Sequence, residues 1–495
     1  MYIDARSLDE NALIEGDICI VGAGPAGISI AVELIDAPFK VILLEGGGFE
    51  FEERIQQLYD GKTTGLPYLP LKSAALHKFG GSSSQGGWAG MCSIFDPIVF
   101  EKRAWVDKSG WPISQADLLP YYERATPYLD LGIYSFDLKY WQTQYPSSIE
   151  LPLDKEVFWN KIWRFSSPPT HCGDKYKNII IKAKNIHLYT YANVVDIHAN
   201  DNISKVDEIT FKNYTGKTHK VRAKYFVLAC SGIQNARVLL AANKQCPNGL
   251  GNNNGLIGRY FMDHLDVRFA ELWLKEYNEF SLYLQEGKRP RAELAIMPNK
   301  QAEYGILIGN TSFQVLDTGH TGYLDKLTKL IKRKFNRKLH NAFELIIRLE
   351  QAPNPLSRVT LADEKDELGV PRAQLNWVLS PLEMKSIRKI YELAAQQFGM
   401  TGIGRLRLSE EFLDLKNGSF PDSMVAGGVH HMGTTRMSND PKNGVVDSNC
   451  RVHNIQNLYI AGSSCFPTGA GVNPTLTIVA LSIRLADHLK EKAPG

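Results

Sequence analysis

Long apolar runs are missing from this 495-residue sequence. No stretch reaches the roughly 18 uninterrupted apolar residues typical of a transmembrane helix, so we predict none. A charge excess is missing too, because 56 Lys and Arg face 53 Asp and Glu, a net charge of +3. This balance argues against a dedicated nucleic-acid-binding protein, which usually has a clearly basic domain. Residues 1–16 lack the charged-then-apolar layout of a secretory signal, and we therefore expect a cytoplasmic protein.

Cysteine and histidine patterns typical of disulfide frameworks or metal sites are also lacking. The seven cysteines are odd in number and include no CxxC pair, which favours free thiols in a reduced compartment. The twelve histidines form no HExxH motif and no Cys/His pairing at zinc spacing, so no metal site is predicted. Hydrophobic residues at 44% and charged residues at 22% are close to globular averages, and the length allows two or three domains.

The strongest local pattern is a strand–helix–strand unit near the amino terminus. The apolar, β-branched run 17–21 predicts a buried strand, which leads into the GxGxxG motif of residues 22–27. Helical periodicity follows over 28–35, and the apolar run 40–44 predicts a second strand that ends at Glu45. A complete unit of this kind indicates a dinucleotide-binding site.

Each residue type in this motif has a physical role. Gly22 permits the tight turn, Gly24 lets a pyrophosphate approach the backbone, and Gly27 lets the helix pack closely on the sheet. The amino-terminal end of the helix offers free N–H groups and a positive dipole, and Pro25 suits its first turn. Glu45 can accept hydrogen bonds from ribose hydroxyls and disfavours a 2′-phosphate, so NAD or FAD is preferred over NADP. The alternative, a glycine turn in some other α/β domain, leaves Glu45 without a role.

Residues 79–90 form a second glycine-rich segment. Gly/Ser runs are often flexible linkers. Here Trp88 lies within the run, and Met91 and Ile94 follow it closely. Linkers rarely carry such bulky residues, so we favour a buried loop whose backbone passes close to a flat ligand.

Two more strand–turn–helix patterns occur far along the chain. The first is a strand over 225–230 with a helix over 233–243. The second is a strand over 457–461, followed by a helix from Pro474 to about Lys490. Pieces of the nucleotide-binding unit are therefore predicted at the start, middle and end of the chain, with the remainder inserted between them.

Two segments near the carboxyl end contain the best catalytic candidates, residues 429–437 and 469–477. The paired histidines His430 and His431 are flanked by glycines, which is not typical of core material. Their structural alternative is ordinary hydrogen bonding within a loop. The alternative for Asn473 is that it caps the helix predicted to begin at Pro474.

Several segments, in this order and spacing, resemble the glucose-methanol-choline (GMC) family of FAD-dependent oxidoreductases. They are the GxGxxG motif with Glu45, the loop Gly80-Gly81-Ser82-Ser83, residues 235–240, 257–264, 350–361, 433–434 and 444–447, and the run Asn473-Pro474-Thr475-Leu476-Thr477. Several are weak individually, but together they are specific. The His/Asn pair at 430 and 473 is closest to the pyranose oxidase and sugar dehydrogenase-like branch, and it differs from the His/His pair of glucose oxidase.

The resemblance implies FAD-dependent oxidation of an alcohol, such as a sugar, a polyol or a sugar-derived natural product, with dioxygen or a quinone as electron acceptor. It places His430 at the position of the catalytic histidine and Asn473 at that of the second catalytic residue. A histidine can take the hydroxyl proton near neutral pH, and the Asn side-chain amide can hold the same oxygen in place. His431 is a less certain neighbour, which could face away from the flavin.

The resemblance also implies the residues that contact FAD: Gly22, Gly24, Pro25, Ala26, Gly27, Glu45, Gly80, Gly81, Ser82, Ser83, Gln85, Val194, Gly462, Ser463, Asn473, Pro474 and Thr475. Gln85 is a departure, because pyranose-oxidase-like members carry at this place a histidine that is joined covalently to the flavin. Non-covalent FAD is therefore expected here.

The implied fold is an α/β, Rossmann-like FAD-binding domain, discontinuous in sequence, together with an α+β substrate domain that contains an antiparallel sheet. We predict that residues 1–105, 176–264 and 426–495 form the first, and that residues 106–175 and 265–425 form the second.

Other interpretations stay open at this stage. A flavoprotein lyase or decarboxylase of the same fold is one, and a flavin subunit of a larger electron-transfer assembly is another. The stretch 326–338 is basic and amphipathic, and it could touch an anionic membrane or an acidic partner. We favour a solvated insertion near the active-site entrance instead.

Overall fold

The computed structural model describes residues 1–84, 90–287, 289–316, 340–415, 420 and 428–492. Gln85, Trp88 and the basic stretch 326–338 lie outside the described residues, so the predictions made for them stay predictions. Within the described ranges, no helix combines the length and the apolar character that crossing a bilayer requires.

Eighteen strands are described, and they form three sheets. They are β1 Tyr2–Asp4, β2 Leu13–Val21, β3 Val41–Leu44, β4 Gly61–Gly65, β5 Met91–Cys92, β6 Phe158–Phe165, β7 Ile186–Thr190, β8 Asn193–Ala199, β9 Val206–Lys212, β10 Thr218–Leu228, β11 Leu265–Asn278, β12 Arg291–Ile296, β13 Gly309–Val315, β14 His340–Leu349, β15 Arg358–Lys365, β16 Pro371–Trp377, β17 Gly404–Leu408 and β18 Leu458–Ile460.

The described α-helices are α1 Pro25–Glu33, α2 Glu53–Gln56, α3 Pro97–Phe100, α4 Gln115–Ala125, α5 Leu138–Gln144, α6 Cys172–Lys182, α7 Ser231–Ala241, α8 Pro298–Tyr304, α9 Pro381–Met400, α10 Glu410–Leu413 and α11 Thr475–Lys492. The predicted strand–helix–strand unit is confirmed as β2, α1 and β3. The predicted middle and carboxyl-terminal units are confirmed as β10 with α7 and as β18 with α11.

The first sheet has the order β1-β7-β3-β2-β10-β9-β8, and β18 also pairs with β10. Its central pairs are parallel, and the register places Val21 beside both Leu44 and Leu228, with Ile460 beside Leu228. Four strands therefore end at the same edge of the sheet. The turn at Gly22, the carboxylate of Glu45, and the segments that follow β10 and β18 all meet at that edge, where ligands bind in open α/β sheets.

The second sheet has the order β17-β11-β14-β13-β12-β6-β5, with antiparallel pairing throughout. On one face, helix α9 covers the sheet, and buried side chains such as Ile387 and Ile390 lie at this contact. Strands β15, β16 and β4 form a third, small sheet. An α/β unit and a unit built on an antiparallel sheet are thus both present, while the exact domain boundaries stay a prediction.

The second glycine-rich segment is not a linker where the structure describes it. Residues 81–84 form a short 3-10 helix, and the backbone N–H of Gly80 donates to the carbonyl of Ala23 at 2.8 Å. A Cβ on Gly81 would lie 3.0 Å from Cα of Gly24. The segment therefore lies directly against the GxGxxG turn.

Candidate active site

The turn that follows β2 requires glycine at two positions. Gly22 has φ +101°, and a Cβ on it would lie 2.6 Å from the carbonyl oxygen of Ala229. A Cβ on Gly27 would lie 1.9 Å from the carbonyl oxygen of Gly22, so α1 could not pack on β2 with any side chain there. These contacts agree with the turn and close-packing roles that the motif predicts.

Gly24 differs from its two neighbours in the motif. It precedes α1 with φ −80° and ψ −173°, a conformation open to most residues. A Cβ on Gly24 would meet no described atom within 4 Å. The fold therefore does not need glycine at this position, and the space in front of it opens into a cavity.

Glu45 ties the motif to the end of β3. Its Oε2 accepts from the backbone N–H of Ala23 at 2.8 Å, and its Oε1 accepts from that of Gly47 at 2.9 Å. Burial raises the pKa of the Glu45 carboxyl, and the hydrogen bonds from Gly47, Ala23 and Gly46 oppose that shift. The buried carboxyl thus fixes the geometry of the turn and presents itself to the cavity.

One cavity of about 300 Å³ connects the turn to His430. The predicted residues that line it are Gly22, Gly24, Pro25, Ala26, Glu45, Gly81, Ser82, Ser83, His430, Gly462, Ser463, Pro474 and Thr475. Val194 lines an adjoining cavity of about 80 Å³, which shares Gly22 and Glu45 with the first. Gly27, Gly80 and Asn473 are not among the residues that line either cavity.

The residues present fit a bound dinucleotide. The open face of Gly24 beside the amino-terminal end of α1 leaves a place that a side chain would fill, which suits a pyrophosphate. Glu45 lies at the end of a neighbouring strand and suits a ribose. FAD would be held by these residues together with the loop 81–83 and residues 462–463, and its flat ring would be held near His430.

His430 belongs to a loop that is fastened to the segment before β11. The backbone N–H of Gly428 donates to the carbonyl of His264 at 2.9 Å, and Met432 and Met262 exchange backbone hydrogen bonds of 2.9 and 3.0 Å. Between these contacts, Val429 adopts φ +58°, which is unfavourable for a β-branched residue. The surrounding hydrogen bonds therefore impose the backbone conformation that presents His430 to the cavity.

Asp263 is a buried residue whose carboxyl group accepts further hydrogen bonds from this loop. Its Oδ1 accepts from the backbone N–H of His430 at 2.7 Å, and its Oδ2 accepts from that of Val429 at 3.1 Å. The Tyr68 hydroxyl and the backbone N–H of His264 also donate to this carboxyl. Burial raises the pKa of Asp263 to about 6, in spite of these donors.

The rings of His430 and His264 touch. Their Nδ1 atoms lie 2.7 Å apart, and the planes of the two rings are inclined by 78°. His264 is fully buried. His431 is buried as well, packed against Tyr68 and Phe261, and it also lines the cavity.

Asn473 is held by tertiary contacts and does not cap the last helix. Helix α11 begins at Thr475, and the Oδ1 of Asn473 accepts from a guanidinium nitrogen of Arg348 at 2.7 Å. Its Nδ2 donates to the backbone carbonyl of Met91 at 2.9 Å. Arg348 is in turn bound by both carboxylate oxygens of Asp266, each at 2.8 Å.

The two catalytic candidates are therefore connected through one short segment. His264 contacts His430, and Asp266, two residues later, binds the arginine that holds Asn473. Sequence reasoning assigned no role to Asp263, His264, Asp266 or Arg348. The signal available was the Asp-His pair within the segment 257–264 that resembles the family, and both polar side chains are fully buried just before β11.

Burial and nearby cations keep the histidines neutral. Burial is the largest cause that lowers the pKa of His430 well below its usual value, and His264, Arg348 and His431 lower it further. Burial also lowers the pKa of His264 to about 4 and that of His431 to about 4. At pH 7 the site thus contains a neutral imidazole that can accept a proton.

Comparisons with known proteins relate the chain to oxidoreductases. The GMC oxidoreductase profile matches residues 353–482, a range that contains His430 and Asn473. The chain is 27% identical to 2-methyl-1,2-propanediol dehydrogenase of Mycolicibacterium austroafricanum, over 96% of this chain and 95% of that protein. It is 30% identical to 6'''-hydroxyparomomycin C oxidase of Streptomyces lividus, over 56% of this chain and 47% of that protein.

A solved structure shows the same fold. Pyridoxine 4-oxidase from Mesorbium loti superposes with a TM-score of 0.59 at 17% identity, covering 95% of this chain and 98% of that one. Residues 353–482 thus match the GMC oxidoreductase family model, and the whole chain is similar in sequence to a dehydrogenase and in fold to an oxidase.

Proposed function

We propose that this protein oxidises an alcohol group of a small hydroxylated molecule to a carbonyl, with FAD as the immediate electron acceptor. One observation carries the proposal: the cavity that begins at the glycine turn and Glu45 ends at the imidazole of His430, whose pKa is lowered well below its usual value. A dinucleotide and a general base are thereby brought to the same cavity.

His430 and Asn473 have two different roles at the substrate oxygen. An alcohol is a poor hydride donor until its O–H proton leaves, and the neutral imidazole of His430 takes that proton. The amide of Asn473 is oriented by Arg348 and Met91, which leaves one of its two N–H groups to hold the oxygen. When bound, FAD supplies the two-electron acceptor for the carbinol hydrogen.

The face of the second sheet nearest Asn473 favours a polar substrate. Arg348 pairs in register with Asp266 on β11 and with Asn310 on β13, and the side chain of Asn310 donates to the carbonyl of Gly471 at 2.8 Å. The Arg348 and Asp266 side chains retain 19% and 22% of their exposure, which leaves polar atoms within reach of a ligand. On strand β12 of the same sheet, Arg291 and Glu293 pair at 2.5 Å.

Such a surface suits a sugar, a polyol or a sugar-derived compound better than a sterol, because apolar groups would desolvate its charged groups without replacing the lost hydrogen bonds. Relatives named for 2-methyl-1,2-propanediol, for 6'''-hydroxyparomomycin C and for fructose support this choice. We further propose that the electron acceptor is dioxygen or a quinone, that the domain boundaries are those predicted above, and that the protein is cytoplasmic.

The proposed function is tested by anaerobic titration of the purified yellow protein with sugars, polyols, sterols and aryl alcohols. Bleaching of the oxidised-flavin absorbance by polyols or sugars is expected, and admission of air then separates an oxidase from a dehydrogenase. A protein that binds FAD but is bleached by no member of the panel would contradict the proposal. Bleaching only by sterols would leave alcohol oxidation standing and overturn the substrate class.

The rate of flavin reduction by the substrate is expected to show a plateau from pH 6.5 to 8. A general base acts in its neutral form, so the rate rises with pH through the pKa of the base. Because the pKa of His430 is lowered, that rise should be complete below pH 6.5. Stopped-flow reduction across pH 4.5–8 measures it, and a rise centred at or above pH 6.5 would contradict this assignment.

FAD is expected to be held without a covalent bond, because Gln85 replaces the histidine that forms the flavin linkage in pyranose-oxidase-like members. Acid precipitation should therefore release all of the flavin into the supernatant. A Gln85→His variant is the matched comparison. A yellow precipitate from the unaltered protein would show that another residue forms the link.

A further inference from the structure

The contact between His264 and His430 constrains where their protons lie. Two Nδ1 atoms at 2.7 Å are within hydrogen-bond distance, so one must carry hydrogen and the other must present a lone pair. The backbone N–H groups of both residues donate at 2.7 Å to Oδ1 of Asp263. Both residues are therefore fixed from the same carboxyl group, and the facing arrangement of the rings is built into the fold.

Two tautomer arrangements satisfy the contact, and they differ at the far nitrogens. In the first, Nδ1–H of His264 donates, and Nε2 of His430 must then carry hydrogen. In the second, Nδ1–H of His430 donates, and Nε2 of His430 then has a lone pair. Only the second arrangement lets His430 accept a proton through Nε2 from a ligand in the cavity.

The position of His430 on the cavity lining favours the second arrangement, because the proposed function needs a proton acceptor there. In the second arrangement, Nε2 of His264 carries a hydrogen atom. In the first arrangement, that nitrogen has a lone pair and would need a hydrogen-bond donor. No hydrogen-bond partner of this buried Nε2 is found among the described residues. The charged groups around the pair, Arg348, Asp266 and Asp263, do not supply a donor to this nitrogen either.

We propose that His264 is a positioning residue that fixes His430 in the Nδ1–H tautomer and so leaves the lone pair of its Nε2 for the substrate proton. This inference rests on the proposed function of His430, and the ¹⁵N experiment below tests the tautomer separately from the activity. His264 touches neither substrate nor flavin in this role. It acts through the ring of His430, much as an orienting partner acts on other catalytic histidines.

The test compares two variants of matched size, His264→Asn and His264→Leu. The Oδ1 atom of asparagine can take the place of the Nδ1 acceptor, whereas leucine offers no acceptor. The holoenzyme is labelled with ¹⁵N-histidine, and the signals of His430 are assigned from their loss in His430→Ala. The Nδ1–H tautomer is expected for His430 in the unaltered protein and in His264→Asn, and its loss is expected in His264→Leu.

The kinetic consequence is measured on the same variants. His264→Leu should slow flavin reduction by roughly 10²-fold, the lower end of a general-base effect. In this variant, the rise of the reduction rate with pH should also move to higher pH, because the His264 ring that lowers the pKa of His430 is gone. His264→Asn should remain within about threefold of the unaltered rate, since its acceptor is kept.

The outcomes separate this inference from the proposed function. If no alcohol reduces the unaltered holoenzyme, the function fails, while the ¹⁵N spectrum still decides the tautomer. An Nε2–H tautomer of His430 in the unaltered protein overturns the inference even where His264→Leu does not fold. Equal rates and equal pH profiles for the Asn and Leu variants also overturn it, because they would show a role limited to packing.

Discussion

Replacement of His430 by alanine is expected to slow reduction of the bound flavin by roughly 10²–10⁴-fold, the usual contribution of a positioned general base. The substrate hydroxyl would then have no neutral imidazole at the end of the cavity to take its proton. FAD should stay bound, because the glycine turn, Glu45 and the loop 81–83 are untouched by the change. Anaerobic stopped-flow measurement of flavin bleaching gives the rate, and the flavin-to-protein absorbance ratio gives the occupancy.

A histidine elsewhere provides the control for this experiment. His198 is exposed on β8, and His198→Ala should leave both the rate and the occupancy unchanged. His430→Ala also removes the ring that contacts His264, so exogenous imidazole can be added as a replacement base. A partial recovery of the rate in imidazole would identify the missing group as a proton acceptor. An unchanged rate in His430→Ala would remove His430 from this role.

The glycine turn and the strands and helix around it could be predicted because their signals are local. The run 17–21, the GxGxxG motif and the run ending at Glu45 follow one another within 29 residues, and period and residue type identify each element. Because these strands are parallel neighbours, their carboxyl ends lie at one edge of the sheet: they are β2, β3, β10 and β18. Resemblance to a family then supplied His430 and Asn473.

The residues that hold the two catalytic candidates, His430 and Asn473, in place could not be predicted, because they act through contacts between distant segments. Asp263 and His264 lie more than 160 residues before His430, and Arg348 lies 125 residues before Asn473. No local pattern encodes such pairing. Asn473 shows the consequence directly: its spacing before Pro474 predicts a helix cap, but a charged donor in the neighbouring sheet takes its carbonyl oxygen instead.

Replacement of Gly24 by valine is expected to abolish FAD retention while leaving the fold intact. The backbone of Gly24 is extended, with φ −80°, and a Cβ there meets no described atom, so the folded protein has room for a side chain. The same side chain would occupy the place in front of the α1 amino terminus that suits the pyrophosphate. We expect FAD binding to weaken by at least about 100-fold, roughly 2.7 kcal/mol. Isothermal titration of the flavin-free protein measures the change.

Gly27→Ala is the matched control for this variant, because it should disturb the fold and not the ligand site. Its Cβ would lie 1.9 Å from the carbonyl oxygen of Gly22, so α1 must move away from β2. Overpacking of this kind costs roughly 1–3 kcal/mol or more, and it should lower the melting temperature of the flavin-free protein by several degrees. Flavin-free Gly24→Val should instead melt within about 2 °C of the unaltered protein, because a Cβ at this position meets no described atom within 4 Å. The flavin must be removed before this comparison, since a ligand that binds only the folded state raises the melting temperature by itself. If Gly24→Val retained FAD with unchanged affinity, the pyrophosphate could not lie at the face of Gly24, and the glycine turn would serve the fold alone.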